Sequence, residues 1–237
     1  MRIEFIRIIA WVLFLFPSLL VVQPANAATP TIANGEIKTG TITGAGSESY
    51  TISVPAGGGS FVVSAGETGS HTKGFVPEID LVAPGGNAGA GLGKPYFTNI
   101  EQDNAAEGKW TVKVSRADGG QSGGGYALKL IQIPGATGTA LTGDSSGSIV
   151  RGGIDVWTFT GTAGHTATLT LARTGGKGFY PKISVFTPAG AAAGGVTCSD
   201  SCAQDFAITA AGTWTVLVSK FDGNDETGTY TLSISGQ

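Results

Sequence analysis

Along much of the chain, apolar and polar positions alternate with a period of two. Trp110, Val112 and Val114 stand in one phase, with Thr111, Lys113 and Ser115 in the other; Tyr126, Leu128 and Leu130 alternate with Ala127 and Lys129. Near the C-terminus the pattern returns as Trp214, Val216, Val218 and then Tyr230, Leu232, Ile234. A period of two is that of a strand with one face in a core and the other in water, the habit of antiparallel sheets. Asp118-Gly119-Gly120 and Asp222-Gly223-Asn224 fall between the paired runs, and such turn residues predict that each Trp strand joins the following Tyr strand as a hairpin. With 39 Gly and only 13% charged residues, the chain reads as short strands and tight turns, with little helix beyond its first residues.

The pattern is duplicated. Gly74-Phe75-Val76-Pro77-Glu78-Ile79-Asp80-Leu81 recurs 104 positions later as Gly178-Phe179-Tyr180-Pro181-Lys182-Ile183-Ser184-Val185, and the same offset relates Trp110 to Trp214 and Tyr126 to Tyr230. Nearer the start of each copy, Tyr50-Thr51-Ile52 matches Trp157-Thr158-Phe159 at an offset of 107, which places three extra residues in the first copy, assigned to Ala56-Gly57-Gly58-Gly59. A copy of about 100 residues is the size of one β-sandwich with its own core. The organisation expected is a leader over 1–27, one sandwich over 28–133, a Pro/Gly linker over 134–138 and a second sandwich over 139–237. Two such modules read as separate beads, each with a wet outer face.

Arg2 and Arg7 precede an apolar run from Ile8 to Val22, and Ala25-Asn26-Ala27 supplies a small-residue cleavage site. That is the form of a signal peptide, and the run is shorter than the roughly 20 residues of a spanning helix. The expectation is a secreted or periplasmic protein with no membrane insertion after cleavage. Removing Arg2, Arg7 and Glu4 from the 14 basic and 17 acidic residues leaves 12 and 16. A scattered, net-negative set of charges argues against nucleic acid as a partner.

A segment of the form G-x-x-P-x-I-x-V-x-x-P-x-G, a G-x-W-T-V-x-V-S strand, a Gly-rich turn and a closing G-x-Y-x-L-x-I strand together resemble the bacterial pre-peptidase C-terminal domain family. Pro77 and Pro181 match that family's proline, while Phe75-Val76 and Phe179-Tyr180 stand where it often has an Asp, and Trp110 and Trp214 replace a usual Tyr. The resemblance implies an all-β chain of two tandem jelly-roll-like antiparallel β-sandwiches. It also implies non-catalytic modules, of a kind that in some members bind collagen, polysaccharide or calcium. No catalytic domain is expected beside the two copies.

Candidate chemistry is sparse. His71 and His165 are not equivalent between copies and sit in turn contexts, and no two acidic positions repeat so as to mark an acid/base pair. Cys198 and Cys202 in an exported chain point to a disulfide. Cysteines four apart on an extended strand would be about 13 Å apart, so a bond requires the segment to turn. Asp222, Asn224 and Asp225 gather oxygen donors in one turn, readable as a hairpin or as a weak calcium site; no other cofactor is expected. Phe75, Phe179 and Tyr180 precede strands and either offer flat faces to a sugar ring or an apolar partner or cap the end of the sandwich. The function expected is a non-catalytic exported module that recognises a polysaccharide or protein partner, the alternative being a self-assembling structural protein.

Overall fold

The computed structural model describes residues 28–69, 75–86, 90–91, 97–117, 123–221 and 227–237. These residues are all-β, with no helix. The first half contributes β1 (Ile37–Ile42), β2 (Glu48–Val54), β3 (Gly59–Thr68), β4 (Pro77–Val82), β5 (Ala90–Gly91), β6 (Phe97–Ala105), β7 (Gly108–Arg116) and β8 (Gly124–Ile133). The second contributes β9 (Thr139–Ala140), β10 (Ser145–Ile149), β11 (Ile154–Gly161), β12 (Thr166–Gly175), β13 (Pro181–Phe186), β14 (Ala192–Thr197), β15 (Ser201–Ala207), β16 (Gly212–Lys220) and β17 (Gly228–Ser235).

Four sheets form, in the orders β1-β8-β3-β6 and β2-β7-β4-β5 from the first half, and β10-β17-β12-β15 and β14-β13-β16-β11-β9 from the second. Setting β10 against β1 and counting on, the second pair repeats the first strand for strand. The short parallel contact of β9 with β11 has its counterpart in the bridge from Thr31 to Thr51, and Leu141 enters its core as Ile32 enters the other. Among the described residues, only β4 and β5, and likewise β13 and β14, are consecutive and paired. Every other connection within a half passes from one sheet to its partner.

That overturns the expected hairpins. β7 pairs with β2 and β4 while β8 pairs with β1 and β3, so the two strands lie in different sheets and form no hairpin. The reason lies in the side chains: Trp110 and Tyr126 both belong to the same core and reach it from opposite layers. In the second half Trp214 on β16 and Tyr230 on β17 do the same.

Each core fills the space between its two sheets. Phe61 meets Trp110 edge to face at 5.3 Å, and the Trp110 indole N–H, which must find an acceptor once buried, donates to Ala106 O at 2.9 Å. Trp214 stacks on Phe159 and donates to Ala210 O at 3.0 Å. The three extra residues of the first copy are not in the 56–59 turn, because the turns after β2 and β11 are equal in length. Strands β3 and β12 are equally long, and the connection from β3 to β4 is three residues longer than that from β12 to β13, so the extra residues fall there.

The halves are not separate beads. Val62, Ile131 and Ile133 on the outer face of the β1-β8-β3-β6 sheet form one buried cluster with Ile154, Phe186 and Leu217 on the outer face of the β14-β13-β16-β11-β9 sheet. Strand β16 is therefore buried on both faces. Backbones meet where Gly152, at φ 63°, lies against Gly66, and a Cβ on either would strike the other segment.

Candidate functional site

Beside this apolar patch the halves leave a polar cleft of about 130 Å³, lined by Asn99, Glu101, Lys182, Ser184 and Ser219 above Leu217. A neighbouring hollow of about 240 Å³ shares Glu101, Lys182 and Ser184 and runs out past Asp103 over Gly195 and Thr197. One wall is β6, which presents Asn99, Glu101 and Asp103 at alternate positions; the floor is the outer face of β13 and β14.

One carboxylate oxygen ties the cleft together. Lys182 Nζ and Ser184 Oγ each donate to Glu101 Oε2 at 2.9 Å, so a first-half acid is held by a second-half cation and hydroxyl. Charge-assisted bonds in a half-buried setting hold more strongly than surface pairs. Further contacts cross at the margins: Ser60 Oγ donates to Gly190 O at 2.6 Å, Lys129 Nζ to Ile154 O at 2.7 Å, and Lys220 Nζ lies 5.7 Å from the centre of the Phe97 ring. Asp103 is differently placed. Desolvation, and then the negative charge of Glu101, push its carboxyl above the ordinary value, with Lys182 only partly offsetting them.

The residues singled out in the sequence fall in several places. Phe75 and Phe179 are buried, and neither offers a face to a ligand: the rings sit on Gly124 and Gly228, where a Cβ would run into them, and close the ends of the two cores. The reason is phase, since each ring precedes its strand by two positions and stays on the inward side. Tyr180 is 37% exposed, next to the 53%-exposed Phe221, whose N–H donates to Tyr180 O. Asp222, Asn224 and Asp225 lie outside the described residues, as does His71. His165 is exposed in the turn between β11 and β12. Among the described residues no group of three His, Cys, Asp or Glu side chains could hold a metal ion.

Cys198 and Cys202 are disulfide-bonded, with Cα atoms 5.6 Å apart, and the segment turns as the spacing required. The bond joins the ends of β14 and β15, edge strands of opposite layers. Arg173 pairs with Asp200 within that turn.

Sequence reading missed a repeated acid. Tyr126 Oη donates to Glu48 Oε2 at 2.5 Å and lies 2.7 Å from Tyr50 Oη, while Tyr230 Oη donates to Asp155 Oδ2 at 2.7 Å and accepts from Trp157 Nε1 at 2.8 Å. Glu48 and Asp155 are related by the same offset of 107 as Tyr50 and Trp157, a signal present in the sequence. Burial, followed by the adjacent carboxylate, raises both Tyr126 and Tyr230, so these phenols stay neutral and serve as buried donors. Gly40 and Gly147 lie beside them on β1 and β10, where a side chain would strike the phenol.

Among the described residues no helix is long and apolar enough to cross a membrane. No protein-family model matches the chain, and a search of curated proteins finds no match.

Proposed function

We propose that the protein is a non-catalytic, exported recognition module of two jelly-roll-like sandwiches, and that it takes a polysaccharide or protein partner in the cleft between its halves. Supporting the topology is the strand order, one layer 1-8-3-6 and the other 2-7-4-5 in each half. The disulfide supports export, since such bonds persist in oxidising compartments. The observation that carries the functional reading is the cleft itself: carboxylate, ammonium, amide and hydroxyl groups are gathered where two sheets are held together by an apolar patch. Such a wall can read hydroxyls or amides of a partner, and the strands beneath hold it rigid. Nothing in this reading needs a nucleophile or a metal.

Retention of the protein on insoluble polysaccharides, peptidoglycan and collagen tests it. Asn99→Ala with Asp103→Asn should weaken retention at least tenfold while the fold is unchanged by circular dichroism. Retention that survives those changes but is lost in Tyr180→Ala would move the site to the exposed aromatic pair. No retention on any support would leave the self-assembly reading as the better one.

A further inference from the structure

The sheet order stops at β6 on one side of the cleft, while the sheet beneath continues one strand further to β14. The outer edge of β6 pairs with no strand among the described residues, over Phe97–Asp103, roughly 20 Å of backbone before Asn104 turns to φ 50°. An open edge of this kind is a template for another chain, and proteins usually block it with Lys, Pro or a covering loop. Strand β6 carries neither Lys nor Pro. Below it, Val196 packs into the core, so Gly195 and Thr197 turn outward, and Gly195 brings no side chain. The result is a shelf beside the unpaired edge.

We propose that an extended segment of a partner protein adds to the β6 edge on this shelf as a further strand, directing a Lys or Arg side chain to Asp103. This rests on the recognition reading above and names the partner class. Backbone hydrogen bonds supply affinity in strand addition, and pockets for alternate side chains supply specificity. The charges choose the side chain. Glu101 is already neutralised by Lys182, while the Asp103 carboxylate has no hydrogen-bond partner among the described residues and stands next to another acid. A basic side chain supplies the missing counter-charge, whereas a neutral glycan carries none and cannot continue a β-ladder.

Two synthetic ten-residue peptides of alternating Thr and Val, one with Lys and one with Glu at the fifth position, probe the site on the protein recovered after export. The Lys peptide should bind at least tenfold more tightly than the Glu peptide, and alternate amides of 97–103 should gain protection from hydrogen exchange. Asp103→Lys, an exposed change that the fold tolerates, should reverse the preference. A preference unaltered by Asp103→Lys, or protection elsewhere than β6, overturns the proposal. A polysaccharide that binds in the cleft where the Lys peptide does not overturns strand addition but leaves the recognition reading standing; if neither perturbs the cleft, both fail.

Discussion

At the scale of single residues, the most informative positions are those where two groups compete for the same space. Gly124 and Gly228 leave room for the rings of Phe75 and Phe179. A methyl at Gly228 forces the ring or the strand aside, and overpacking of this kind should cost about 1–3 kcal/mol, read by urea unfolding. Tyr230→Phe removes the phenol that joins Asp155 to Trp157 and leaves two polar groups without that partner, an expected loss of about 1–3 kcal/mol in the same assay. Asp103 gives the opposite sign. Because its folded-state value lies above the ordinary 3.8, its contribution to stability is complete below that pH and is lost as pH rises through the folded-state value. Asp103→Asn should therefore unfold at a higher temperature than the parent at pH 7, and at the same temperature near pH 3.

At the scale of elements, the strands were legible because alternation is strict along them. Trp110, Val112, Val114 and their counterparts 104 positions on all lie in the cores. Their partners were not legible. A Gly-rich connection after Arg116 suits a tight turn and an arch between layers equally well, and periodicity within a strand says nothing of which strand lies beside it. The disulfide was legible from the expected export and the spacing, but not its position across two edge strands. Closing so short a loop contributes about 2 kcal/mol in the chain-entropy model. Cys198→Ser with Cys202→Ser should lose about that much in urea and keep the fold, with fraying confined to β14 and β15 in hydrogen exchange.

For the whole molecule, the contact between halves was written in the differences between copies. Val62 and Ile131, paired on adjacent strands, correspond to the paired Thr168 and Ser235. Leu217 corresponds to Lys113, and buried Phe186 to Val82, which is 40% exposed. Each half is thus apolar on the outer face it uses and polar or exposed at the matching positions of the other. Reading the two copies for their likeness hides this, since Thr215, Leu217 and Ser219 occupy what one strand alone presents as its wet phase. The cleft was illegible for the same reason: Glu101 and Lys182 are 81 residues apart and meet only once the halves pack. Leu217→Lys, which installs the first copy's residue, buries an uncompensated charge and should cost on the order of 3–5 kcal/mol, splitting a single unfolding transition into two. An unchanged single transition would mean that this patch is not buried in solution.

The most direct test of the recognition site is a hydrogen-exchange footprint of the protein bound to whichever support or peptide retains it. Protection concentrated on β6, β13 and β14, and lost in Asp103→Lys, is the result predicted by a site between the halves. Protection at Tyr180 and Phe221 or on the outer polar faces, with the cleft amides exchanging as in the free protein, would contradict it.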